Sequence, residues 1–235
     1  LYRYYSPKFD NVLGYAFSET SRVNDENGIY IGADIKRVKN WRFCAFGAVF
    51  RFSNPKYGIS YFPSWGYDAM AEAQWLKTQW NMLWRIRARE KAKKDSYAFR
   101  YQLNWEQGGW KLRTQTDANI VMDSLYQLTW GVSLFQDIQY RFSIPLTLQL
   151  RVQAFDVRQW DNRIYVYEND VLYASSSQAI YGCGGHFYVN LRWQIIPKLT
   201  LYFKASETIY TRLWAEAHQR SNSQTDIHLM IRLTL

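Results

Sequence analysis

Residues 80–91 read Trp-Asn-Met-Leu-Trp-Arg-Ile-Arg-Ala-Arg-Glu-Lys. Trp80, Met82, Trp84, Ile86 and Ala88 occupy the even positions, while Asn81, Leu83, Arg85, Arg87, Arg89 and Lys91 occupy the odd ones. Successive side chains of a β-strand point to opposite faces, so this segment has one apolar and one cationic face. Helical periodicity is scarce here and along the rest of the chain.

The same period of two recurs in both directions. At 96–106, Tyr97, Phe99, Tyr101, Leu103 and Trp105 alternate with Ser96, Ala98, Arg100, Gln102, Asn104 and Glu106. At 125–140, Tyr126, Leu128, Trp130, Val132, Leu134 and Ile138 stand opposite Gln127, Thr129, Gly131, Ser133, Asp137 and Gln139. Similar alternation at 28–38, 41–52, 67–77, 110–121, 145–158, 180–195, 199–213 and 226–235 brings the total to about eleven strands. A candidate twelfth lies at 10–19 through Leu13, Tyr15 and Phe17, so residues 1–27 are read as a first strand and loop. No composition break marks a second domain, and 1–235 is read as one barrel segment of about twelve strands, open to being part of a larger barrel.

Strand length separates a membrane barrel from a soluble sheet. Many of these runs reach about 10 to 15 residues, whereas soluble strands average about 5 to 6 and a tilted membrane-crossing strand needs about 9 to 11. The connections alternate as well. Tight turns are expected near 37–40, 77–79, 106–109, 141–145 and 196–198, with links at 53–66, 92–95, 119–124, 159–179 and 214–223, three of them long. Short turns on one side and longer loops on the other are the pattern of outer-membrane barrels. Apolar-face aromatics flank the short turns: Trp41, Trp75, Trp80, Trp105, Trp110, Tyr140 and Trp193. Amphipathic rings at one height are expected where a barrel meets the headgroup layer.

Composition excludes several other classes. The 235 residues carry a net charge of +9, are 48% hydrophobic and contain only 12 Gly and 5 Pro, which removes disordered, collagen-like and low-complexity readings. No apolar run approaches the roughly 18 to 20 residues of a membrane-spanning helix. The chain begins at Leu1 without the charged and apolar regions of a signal peptide, and is read as a processed product or a piece of a longer chain. Cys44 and Cys183 lack metal-site spacing and fall on opposite face parities, so neither a disulfide nor a shared metal site is expected.

Four stretches carry a family resemblance: Asn-Asp-Glu-Asn-Gly-Ile-Tyr-Ile-Gly-Ala-Asp-Ile (24–35), Tyr-Phe-Pro-Ser-Trp-Gly-Tyr-Asp (61–68), Arg-Ile-Tyr-Val-Tyr-Glu-Asn-Asp-Val-Leu-Tyr-Ala (163–174) and Tyr-Gly-Cys-Gly-Gly-His-Phe-Tyr-Val-Asn-Leu-Arg-Trp (181–193). Together they resemble the C-terminal β-barrel region of Bacteroidota outer-membrane proteins that carry N-terminal helix-hairpin-helix repeats of the competence type. The resemblance covers nearly the whole chain and implies the outer membrane of a Gram-negative bacterium and a longer parent chain. The helix-hairpin-helix segment has no counterpart in these residues, so its suggested DNA ligand is not carried over. The chain also departs from the family in ending Arg-Leu-Thr-Leu, where such barrels usually finish on an aromatic residue.

Alternation alone does not say which face is inside. In a membrane barrel, Arg85, Arg87, Arg89, Lys91, Arg100, Lys111, Arg113, Arg151 and Arg192 line the lumen or its rim, where they contact anions or pair across strands with carboxylates such as Glu72, Glu106, Asp117 and Asp137 in a plugged interior. The dense run 85–94 ends on the long-loop side, where lipopolysaccharide phosphate is the expected contact. Nucleic acid is not supported, because aromatics and cations lie on opposite faces of the strand.

His186, His218 and His228 are the available general bases, but no nucleophile elbow or compelling Ser/His/carboxylate spacing accompanies them. Glu-Asn-Asp at 168–170 could hold a hard cation, although such stretches more often make turns. The expectation is a non-catalytic outer-membrane barrel without cofactor, acting in passage or scaffolding, with outer-membrane lipid, lipopolysaccharide and envelope proteins as partners. Two alternatives stand beside it: a soluble β-barrel or sandwich that binds a ligand, and an outer-membrane barrel hydrolase.

Overall fold

The computed structural model describes residues 1–10, 17–20, 23–56, 59, 61–174 and 177–234. The strands are β1 (Tyr2–Tyr5), β2 (Glu26–Val38), β3 (Trp41–Phe52), β4 (Ser64–Leu76), β5 (Trp80–Lys91), β6 (Lys94–Gln107), β7 (Trp110–Met122), β8 (Leu128–Arg141), β9 (Leu146–Val157), β10 (Ile164–Tyr167), β11 (Ser177–Ile180), β12 (Gly182–Ile196), β13 (Leu199–Tyr210) and β14 (Ser223–Leu233), with a short helix α1 (Arg212–Ala217) before the last. All except β10 and β11 form one 12-stranded sheet in sequence order, and those two form a separate hairpin.

Every pairing is antiparallel, and the register keeps parities together. Trp41 faces Trp75, Trp80 faces Trp105 and Trp110 faces Tyr140, while on the other face Glu72 meets Arg85, Arg100 meets Asp117 and Asp137 meets Arg151. A slip of one residue in any pair would move a whole charged set into the apolar face, which is why the register is strongly specified. The tight turn after β6 needs Gly108, whose φ of +58° is open to glycine with little penalty.

The architecture is that of an antiparallel transmembrane β-barrel, with the apolar face outside. Ile86, Phe99, Leu134, Val152 and Ile231 are exposed. Asp68, Asp117, Asp137, Arg151, Gln153 and Lys204 are buried. A soluble β-sandwich or lipocalin-like barrel has the opposite arrangement. The girdle residues lie on the outer face beside the short turns: Trp41, Trp80, Trp110 and Trp193 are exposed, and Trp75, Trp105 and Tyr140 are half-buried.

Among the described residues, no ladder joins β14 to β1 or β2. β2 and β14 run in the same direction, and β1, which runs the other way, covers the edge of β2 over Glu26–Ile29.

Several boundaries differ from the sequence reading. The first strand of the sheet is Tyr2–Tyr5, not 10–19. Leu13 and Tyr15 lie outside the described residues, and residues 17–20 form no strand. Four residues are too few for alternation to register. β8 begins at Leu128 because Asp123 Oδ1 accepts the backbone N–H groups of Leu125 and Gln127, closing a turn over the positions predicted as strand. The predicted loops 159–179 and 214–223 contain the β10–β11 hairpin and most of α1, respectively.

The outer face yields a direct test. Val132 sits mid-strand in β8 opposite Ala118. Its replacement by Arg should cost about 2 to 4 kcal/mol in a bilayer through lipid-face desolvation, read as a shift in reversible urea unfolding from vesicles.

Candidate functional site: a charge-laddered lumen with an inserted hairpin

Inward positions of adjacent strands place cations and carboxylates in register. Arg85 Nε donates to Glu72 at 2.7 Å, and Arg87 Nε donates to Asp68 at 2.8 Å. Arg89 lies 3.2 Å from Glu19 and 3.6 Å from Asp68. Lys91 donates to the Glu19 carbonyl at 2.8 Å. Arg100 meets Asp117 at 2.5 Å, and Lys111 lies 3.6 Å from Glu106. Arg192 has no carboxylate partner among the described residues; its guanidinium lies 5.9 Å from the Tyr202 ring centroid.

The tightest node is Asp137. It accepts from Arg113 Nη2 at 2.5 Å and from Arg151 Nε and Nη2 at 2.6 and 2.9 Å. Arg151 is only 1% exposed. It also donates to the Tyr167 carbonyl at 2.9 Å and lies 3.9 Å over the Phe135 ring. One carboxylate thus anchors two guanidinium groups and, through Arg151, a segment of the hairpin.

The hairpin occupies the interior toward the long-loop end. Ile164, Val166 and Ile180 pack with Phe135, Phe155 and Val157 in a buried apolar cluster. Alternation then turns Glu168 to the same side as Ile164 and Val166, while Tyr165 and Tyr167 stay exposed on the other. Glu168 accepts from Lys204 Nζ at 2.7 Å and from Gln178 at 2.8 Å, and lies 2.6 Å from His186 Nε2. His186 Nδ1 is 2.8 Å from Thr208. Asp170 accepts from Lys204 at 3.0 Å and lies 2.7 Å from His228 Nδ1. Arg100 donates to the Tyr165 carbonyl at 3.2 Å. Strands from β6 to β14 therefore wrap around one inserted segment.

Both loop carboxyls titrate below the ordinary carboxylate range. Burial pushes Glu168 up, but hydrogen bonds and charge from His186 and Lys204 outweigh it. For Asp170, burial is likewise outweighed by hydrogen bonds from His228, Lys204 and the Val171 N–H.

Glu168 and Asp170 are corrections to the turn reading of Glu-Asn-Asp, since both side chains are consumed by interior cations. The alternation Ile-Tyr-Val-Tyr-Glu over 164–168 is the signal that marks an inserted strand rather than a loop. Glu19, at the end of the segment 10–19 read as a candidate strand, instead lies outside any strand and meets Arg89 in the lumen. Asp156 has the parity opposite to Arg151, faces outward and pairs with Arg158 at 2.9 Å. Glu19, Glu168 and Asp170 thus add to Asp68, Glu72, Asp117 and Asp137 in balancing the interior cations.

The run 85–94 is largely consumed indoors. Its outer end has Lys94 on Asp161 at 2.5 Å and Lys93 over Tyr61 at 4.4 Å. His218 stacks on Trp214 with ring centroids 4.3 Å apart, in a separate aromatic cluster with Tyr210 and Tyr181. Cys44 and Cys183 are free thiols.

No protein-family model matches the sequence, and no curated protein matches it. Among solved structures, the chain is similar to a KdgM porin, described in complex with disordered oligogalacturonate, with a TM-score of 0.36 and 9% identity over 89% of this chain and 92% of that one. It is also similar to a NanC porin, with a TM-score of 0.38 and 13% identity over 90% of this chain and 94% of that one.

Asp137→Ala should cost about 3 to 5 kcal/mol, because it leaves Arg151 buried and unpaired. Glu106→Ala, at an exposed pair, should cost at most about 1 kcal/mol. Urea midpoints of the two variants, measured side by side, check the ranking.

Proposed function

We propose that this chain is an outer-membrane β-barrel that passes small polar solutes through a lumen narrowed by the 164–180 hairpin. The observation that carries the reading is the inverted face pattern: lipid-compatible side chains outside and a laddered polar interior within. Passage, rather than a bare scaffold, is favoured by the exposed Tyr165 and Tyr167, which leave an inner surface of the hairpin facing free space. With most interior cations paired, discrimination by charge is weak, and lumen width together with hydrogen bonding selects the solute.

The same proposal includes kinship with the Bacteroidota barrels that carry helix-hairpin-helix repeats. Its support is the sequence resemblance, whose four stretches fall at the beginning of β2, the beginning of β4, the inserted hairpin and the beginning of β12. Outer-membrane lipid and lipopolysaccharide are the proposed surroundings of the apolar face and the loop rim.

Planar-bilayer recording tests the reading. The intact chain should give a small conductance, and replacing 164–180 with a short Gly-Ser link should raise it several-fold with weak ion selectivity. A chain that stays monomeric without detergent, and conducts in neither form, would favour the soluble binding module.

The hairpin should also respond to acid in a defined direction. Carboxyls with lowered pKa values contribute docking energy that is present above their ordinary range and lost as pH falls through the lowered values. Conductance should therefore rise only below about pH 4. In Glu168→Gln the Glu168 part of that rise should already be present at pH 7.

A further inference from the structure

We propose that the cavity on the short-turn side of the hairpin is a binding site for uncharged, polyhydroxylated solutes, sugars by chemical class, recognised by a wall of side-chain amides. The inference rests on the passage reading, which brings solute to the cavity. The cavity has a volume of about 520 Å³ and is lined by Asn81, Gln102, Asn104, Gln139 and Gln149, with Tyr167 and Tyr188 beside them. That size lies within the range of small-molecule sites, about 300 to 1,000 Å³.

The charged groups along the strands of the wall are already matched, and Lys77, exposed in the β4–β5 turn at the rim, is the cation there without a carboxylate partner among the described residues. Lys111 lies against Glu106 at 3.6 Å, and Arg113 meets Asp137 at 2.5 Å. A charged ligand seated against the Arg113–Asp137 pair would have to break it and strand one member, which is costly in a partly desolvated site, whereas the exposed Lys111–Glu106 pair opposes it only weakly. The amides have capacity to spare. Gln102 Nε2 donates to Asn104 Oδ1 at 3.1 Å, and Gln149 Nε2 donates to Gln139 Oε1 at 2.9 Å.

Each bond uses one donor and one acceptor, so each amide pair keeps an unused carbonyl oxygen beside an unused N–H. The buried Asn81 Oδ1 and Tyr188 Oη also lack a hydrogen-bond partner. A wall mixing free donors with free acceptors matches a hydroxyl, which does both. A carboxylate only accepts, and an ammonium only donates. Tyr167, 57% exposed, adds a flat aromatic surface suited to the C–H face of a sugar ring.

Isothermal titration of the full chain in detergent micelles with maltose and with maltobionate, its carboxylate counterpart, tests the site. Saturable maltose binding, at least as tight as maltobionate binding, is expected. The Gln102→Leu/Gln149→Leu variant should weaken it about tenfold through the lost hydrogen bonds. Tyr167→Ala, at an exposed side chain, should weaken it several-fold and serves if the double variant fails to fold.

Absence of saturable maltose binding, or a clear preference for maltobionate, would overturn the proposal, as would unchanged affinity in Tyr167→Ala. Swelling of proteoliposomes in maltose, measured separately, distinguishes the two readings. Binding without swelling supports the site while counting against passage, and swelling without binding removes the site alone.

Discussion

Strict alternation of side chains across the sheet is the constraint on which the remaining features depend. Because the period is two, Trp80 and Asn81, or Leu134 and Phe135, face different media although they are neighbours in the chain. The register between strands then converts sequence order into a charge ladder: Glu72 opposite Arg85, Arg100 opposite Asp117, Asp137 opposite Arg151. No separate device is needed to bring these pairs together.

The ladder is not uniform along the barrel axis. Toward the short turns the interior is lined by the uncharged Gln102, Asn104, Gln139 and Gln149 beside the exposed Lys111–Glu106 pair. Farther along it becomes ionic at Asp137, Arg113 and Arg151. Toward the long loops it gains two apolar clusters, Phe50 and Phe52 with Ile59 on one side and Phe135, Phe155 and Val157 on the other, beside the ionic pairs of Glu19 and Glu168. Inward phenylalanines would be costly in a water-filled lumen. They are compatible with the interior because the hairpin covers one set and Ile59, Tyr61 and Ala92 pack on the other.

The outer face has its own exception. Thr114 and Gln136 lie on outward positions, and Thr114 Oγ1 donates to Gln136 Oε1 at 2.5 Å while Gln136 Nε2 donates to the Asp137 carbonyl at 2.8 Å. Polar groups facing lipid are tolerated when they satisfy one another.

Most of the sheet was legible in the sequence because alternation is a local signal that runs longer than ten residues in nearly every strand. The turn assignments and the outward girdle from Trp41 to Trp193 follow from the same signal. Features built from contacts distant in sequence were less legible. Nothing local tells that Glu19 meets Arg89, or that Asp170 meets His228, because those partners are set by how the sheet curls. The hairpin was hidden for a different reason: β10 and β11 have four residues each, too short to stand out beside strands three times their length.

The hairpin is held by two kinds of force placed at different points along it, and this determines how it can move. Ile164, Val166 and Ile180 are fixed by apolar packing, which is insensitive to pH and salt. Glu168 and Asp170 at the far end of β10 are fixed by Lys204, His186 and His228, whose hold depends on ionisation. Loss of the ionic end alone therefore frees the tip around 168–173 while the apolar end stays seated. Tyr167 lies between the two anchors, and its carbonyl is held by Arg151. Because that guanidinium is fixed in turn by Asp137, the tip hinges at the residue whose ring borders the cavity. Under the passage reading proposed above, release of the hairpin tip would widen the lumen at the point where the amide-lined wall begins, since none of Gln102, Asn104, Gln139 and Gln149 belongs to the hairpin.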